Sequence, residues 1–267
     1  MTSVLEKVSL FCFEASYAVA LLLELLHLLR PRAVHRLVSI GFGIAGFLAH
    51  SIFLAVQGLH LSSQYGCLLF LAWILAIFYL YGSLHHRKTA WGVFVLPLLL
   101  GLVVMAGAFG RPEGDGSWLP QLGMLHGTLL LLAAVGVCVA FLASVMYLLQ
   151  AHRLKAKTLP GQGLRLMSLE RYEKMNRRAI NLAFPLLTAG LLIGAGLMSQ
   201  EFDQLAGWTD PRVFGTVVLW LVFAILLYLR YGFHLRGRKV ALLTIVAFAL
   251  LLVTLAAPHT LGQGGGR

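Results

Sequence analysis

Three histidines, His50, His126 and His259, lie in or beside long apolar runs that hold almost no acidic residue. A neutral imidazole in such surroundings keeps a lone pair that can ligate a metal. Zinc would call for further nitrogen or sulfur ligands around the same point, and no carboxylate or thiolate stands at ligand spacing from these histidines. Haem iron needs only one or two axial imidazoles and an apolar cleft, so haem is the better chemical match. Which two of the three would ligate is open: His126 with His259 suits a surface site, and His50 with His126 a deeper one. Gly43 and Gly46 share the face of His50, and small residues there would let a flat macrocycle or another helix approach closely.

Other side chains could complete such a site. The segment 207–212 reads GWTDPR. The Trp208 ring could stack on a porphyrin, Asp210 supplies a carboxylate, and Arg212 could pair with a propionate. Interfacial tryptophans are also common membrane anchors. Glu14, Glu24 and His27 are the remaining ionisable groups at membrane depth, where such groups are costly and functional by default. A proton or cation relay would call for a series of carboxylates along the path, and spans two to eight lack it. Cys12, Cys67 and Cys138 form no C-x-x-C pair, so they read as small buried hydrophobes.

The elements that must hold these groups are legible in the composition. Of 267 residues, 59% are hydrophobic and only 12% charged, and the mean hydropathy is +0.85. A soluble domain carries about twice that share of charge, and a disordered chain is far less apolar. Solid apolar runs fall at 8–29, 39–59, 66–84, 90–109, 121–149, 179–199, 213–233 and 239–257. Each is about long enough to span a bilayer. The expected fold is an all-α integral membrane bundle of about eight helices, one transmembrane domain over 1–267. Segment 168–178 reads as an amphipathic lead-in to the sixth span, with Ser168 as its N-cap. Gly190 and Gly194 form a G-x-x-x-G packing face, and Pro97 and Pro185 lie inside spans.

The net charge of +11 would suggest nucleic acid in a soluble protein. Here 17 of the 21 basic residues fall in the alternate loops 30–38, 85–88, 150–178 and 230–239. The positive-inside rule then explains the charge as topology, with both termini outside, and nucleic acid is not an expected partner.

Several segments together resemble the CcsA/ResC-type cytochrome c assembly proteins, in the short eight-span HemX/YpjD-like form. These are LGMLH at 122–126, MSLERYEKMNRR at 167–178, FPLLTAG at 184–190, WTDPR at 208–212, Trp220, and RGRK at 236–239. The match is good over 121–260. In 1–110 only the His50-bearing span and the topology resemble the short members. The resemblance implies that His126 and His259 flank a Trp-rich loop and hold haem at the outer surface. Here that loop is reduced to Trp208 and Asp210. The family pattern also has a histidine near the inner end of the seventh span, where this chain has Arg230, with His234 four residues on.

The resulting expectation is a multi-pass protein of a bacterial inner membrane, surrounded by lipid, that holds or delivers haem b in cytochrome c maturation. It would be a carrier or binding subunit more than a stand-alone enzyme. It would work with a synthetase partner subunit or apocytochrome c. Two alternatives are a membrane regulator of haem biosynthesis acting through segment 150–178 and a haem-based electron-transfer protein. Transport without haem is a third.

Overall fold

A computed structural model describes residues 10–30, 32–57, 63–85, 90–109, 120–156, 166–198, 211–235 and 237–256. All regular structure among them is helical. The helices are α1 (Leu10–Leu29), α2 (Ala33–Gln57), α3 (Gln64–His85), α4 (Gly92–Phe109), α5 (Pro120–Lys155), α6 (Leu169–Met198), α7 (Pro211–Tyr231) and α8 (Arg238–Ala256). Seven are long and apolar enough to cross a membrane, and the apolar stretch of α4, Gly92–Ala108, is slightly shorter. This is the expected all-helical, multi-pass membrane protein.

The helices outrun the apolar stretches that predict them. α2 starts at Ala33, α5 continues to Lys155 and α6 starts at Leu169. Hydropathy marks the hydrocarbon-crossing part alone, while intrahelical bonding carries on into the polar boundary. The amphipathic lead-in and the sixth span are therefore one 30-residue helix with Pro185 inside it. It opens where the Ser168 carbonyl accepts from the amides of Arg171 and Tyr172.

The chain falls into two compact units, 1–112 with 153–167, and 113–152 with 168–267. In the first, α1 packs on α2 and α4, and α3 on α2 and α4. Its core uses Phe13, Tyr17 and Ala20 of α1, Leu68, Leu75 and Tyr79 of α3, and Leu96 and Leu99 of α4. The buried positions of α1 are 13, 17, 20 and 24, one helical stripe that ends on a glutamate. Leu22, Leu25, Leu26 and Leu29 lie off it and are exposed, the surface that lipid covers.

In the second unit α7 packs on α6 and α8. α5 and α6 approach closely at Gly136, where a Cβ would stand 2.8 Å from that of Ala183. Trp220 of α7 stacks on Phe184 at 5.8 Å between centroids and donates its indole N–H to Thr188 Oγ1 at 2.9 Å. Phe141 of α5 stacks on Phe248 of α8 at 3.9 Å.

Candidate functional site

His126 sits in the second turn of α5 and is half-buried. Its Nδ1 lies 2.8 Å from the Gly190 carbonyl of α6. A carbonyl only accepts, so Nδ1 carries the hydrogen and donates it. The other nitrogen, Nε2, then holds the lone pair. Metal-ligating histidines are commonly fixed this way, with the far ring nitrogen bonded to a carbonyl or carboxylate that sets tautomer and ring orientation.

The seat of this imidazole is glycine. A Cβ on Gly194 would meet His126 Cε1 at 2.7 Å and Nδ1 at 3.1 Å. One on Gly190 would meet Leu130 Cδ2 at 2.7 Å. The G-x-x-x-G stripe of α6 is therefore more than a helix-packing face. It accepts two successive α5 side chains, His126 and Leu130, one turn apart. Beside His126, Met124 is 65% exposed, so this turn of α5 offers apolar surface around an oriented imidazole.

His50 presents the opposite situation. It is in α2 of the first unit and fully buried. Its ring lies parallel to Phe13 at 4.2 Å and edge-on to Tyr17 at 6.2 Å. Neither ring nitrogen has a hydrogen-bond partner, and the Tyr17 hydroxyl lacks one too. The glycines on its face hold tyrosines, since a Cβ on Gly46 would meet Tyr17 at 2.9 Å and one on Gly43 would meet Tyr79 at 2.5 Å. The space that a macrocycle would use on this face is filled by aromatic rings.

His259, Trp208 and Asp210 lie outside the described residues. Arg212 is in the first turn of α7, just after Pro211, and its side chain is likewise outside the description. Among the described residues no three His, Cys, Asp or Glu side chains gather where they could hold a metal ion. That leaves single imidazoles as the metal-binding chemistry these helices offer. Cys138 is buried, but Cys12 is exposed, so the reading of all three cysteines as buried hydrophobes fails at Cys12. It lies one residue before the buried stripe of α1 and faces outward.

At the basic end of the second unit, Arg230 is buried at 7% exposure. Its Nη1 donates to Asn176 Oδ1 at 3.0 Å and Nη2 to the Glu173 carbonyl at 3.4 Å. The Asn176 amide points to Ser144 Oγ at 2.9 Å and to Thr244 Oγ1 at 3.2 Å. A guanidinium bonds here within a filled polar cluster, and it has no lone pair for a metal. Asn176, Ser144 and Thr244 were invisible as a group in the sequence, because each stands alone on a different helix. The histidines nearby are peripheral: His234 is exposed at a φ of +53°. In the first unit, His27 donates to the Arg32 carbonyl at 3.0 Å and closes the α1–α2 turn.

Comparison with known proteins gives a consistent picture. Residues 61–256 match the cytochrome c assembly protein family. Curated relatives include the cytochrome c biogenesis protein CcsA of Gloeobacter violaceus, 24% identical over 76% of each chain. That of a Synechococcus species is 27% identical over 76% of this chain and 75% of its own. The Mesostigma viride protein of the same name is 21% identical over 97% of this chain and 96% of its own. Among solved structures, the cytochrome c haem lyase CcmF superposes with a TM-score of 0.62 at 19% identity. The alignment covers 97% of this chain but 48% of the lyase, so the chain spans about half its length and shares its fold.

Proposed function

The chain belongs to the cytochrome c assembly protein family, and from that premise we propose that it binds haem b through His126 and holds it for cytochrome c maturation. The observation that carries this reading is the bond from His126 Nδ1 to the Gly190 carbonyl. It leaves Nε2 with its lone pair on a half-buried ring that α6 keeps from turning. His259 would be the second histidine to hold it in this reading. Trp208, Asp210 and Arg212 would complete the site, the indole ring by stacking on a porphyrin and the guanidinium by pairing with a propionate. Bound haem supplies an iron that takes one or two axial imidazoles. The basic loop ends face the cytoplasm of a bacterial inner membrane, which puts His126 near the outer surface. A synthetase partner subunit or apocytochrome c receives the haem.

A second reading is carried by His50. Its two unpartnered nitrogens would be satisfied by a metal on one and a hydrogen-bond acceptor on the other. The ring is fully buried, so this reading requires Phe13 or Tyr17 to give way.

The test is the visible spectrum of the purified protein in detergent, with and without added haem. A low-spin b-type spectrum that is lost in His126→Ala supports the proposal. A haem spectrum that survives His126→Ala unchanged rejects it.

A further inference from the structure

Near the basic end of the first unit, α1, α2 and α3 bring three buried oxygen-bearing side chains together. Ser39 and Tyr79 are fully buried and Glu24 is 7% exposed. Ser39 Oγ is the centre of the group. It lies 3.0 Å from the Ala20 carbonyl, 3.2 Å from Glu24 Oε1 and 3.1 Å from Tyr79 Oη. The start of α4 closes the other side, since a Cβ on Gly92 would stand 2.8 Å from Glu24 Cδ.

Counting hydrogens decides the state of this cluster. A serine hydroxyl has one hydrogen and two lone pairs. With an ionised Glu24 there are two hydrogens, on Ser39 and Tyr79, for three short oxygen–oxygen contacts. If Ser39 donates to the carboxylate, its shortest contact, to the Ala20 carbonyl, has none. If Ser39 donates to Ala20, the Tyr79 hydrogen is the only one left in the cluster, and it cannot serve both Ser39 and the carboxylate. With a proton on Glu24, all three contacts are made at once. Glu24 donates to Ser39, Tyr79 donates to Ser39, and Ser39 donates to the Ala20 carbonyl. Its one hydrogen and two lone pairs are then used, and no buried charge is left unpaired.

The charged and titratable neighbours of Glu24 are Arg36 and His27. Arg36, on α2, gives its Nη2 to the Ser83 carbonyl at 2.7 Å. His27, on α1, is bonded to the Arg32 carbonyl. Among the described residues neither these nor any other cation forms an ion pair with Glu24. α3 contributes Tyr79, and α4 contributes the backbone of Gly92.

We infer that Glu24, Ser39 and Tyr79 form a proton-binding site within the membrane, in which Glu24 carries an exchangeable proton. The site is in the first unit and stands independently of the haem reading. Infrared spectroscopy of the full-length protein in detergent at neutral pH tests it directly. A carboxylic-acid C=O band that shifts in D2O, is absent from Glu24→Gln and moves to higher frequency in Ser39→Ala is the expected result. The upward shift follows from removing the hydroxyl that the acid bonds to. No difference in that band between wild type and Glu24→Gln, or a carboxylate band lost in its place, overturns the proposal. Should Glu24→Gln fail to accumulate, Ser39→Ala decides alone: a shifted acid band supports the site, and an unshifted one overturns it.

Discussion

His50 and His126 are both membrane histidines on glycine-bearing helices, and the two units treat them differently. In the first unit the imidazole is wholly buried, stacked on Phe13, and bonded through neither nitrogen. In the second it is half-buried, tied through Nδ1 to α6 and seated on Gly194. Depth alone therefore does not prepare an imidazole for ligation. A hydrogen bond from one ring nitrogen fixes the tautomer and leaves the lone pair on the other, and the Gly190 carbonyl supplies that bond at His126. At His50 the glycines admit tyrosines, and the ring is packed as an aromatic residue.

This contrast yields four predictions. His126→Ala should have the largest effect and lower haem affinity more than the roughly 10–100-fold that losing an outer-shell partner costs. A titration of the Soret band reads it. Gly194→Val should come next, since the new side chain occupies the place of Cε1 and Nδ1. The expected loss is about 10–100-fold with the helical circular dichroism retained. Retention of wild-type affinity would mean that the seat has no orienting role. His50→Phe should leave haem affinity unchanged and raise the thermal unfolding midpoint. Removing a buried unsatisfied donor and acceptor relieves about 1–2 kcal/mol, and a phenyl ring keeps the stack on Phe13. Loss of haem in this variant would break the contrast and favour the second reading. Trp208→Ala should give the smallest loss of haem affinity among the variants that lose any, a few-fold weakening that matches an aromatic contact of about 0.5–1.5 kcal/mol.

Much of the fold is legible in the sequence, because a membrane span is a long solid apolar run and each run maps to a helix. The ends are less legible. α2, α5 and α6 extend past the hydrocarbon, where the polar content of residues such as His35, Arg36, His152 and Glu170 hides the helical continuity. The site is legible in its atoms and not in its contacts. His126 stands out as an isolated imidazole, and Gly190 and Gly194 as a spaced pair of small residues. Only the fold shows that one seats the other, since the two lie 64 residues apart in sequence. The same holds for Glu24, which is conspicuous as a membrane carboxyl. Its partners Ser39 and Tyr79 are ordinary residues in two other helices. Arg230 stands out in the sequence as a departure from a histidine-bearing pattern. The Asn176, Ser144 and Thr244 cluster that accommodates it comes from three helices and has no sequence signature.

Chemical rescue asks whether His126 Nε2 ligates haem iron. In His126→Gly the imidazole is removed and a cavity of its shape is left beside Gly194. This variant is expected to lose the low-spin b-type spectrum and to regain it when free imidazole is added. A variant that keeps the wild-type spectrum without imidazole would show that His126 does not ligate the iron.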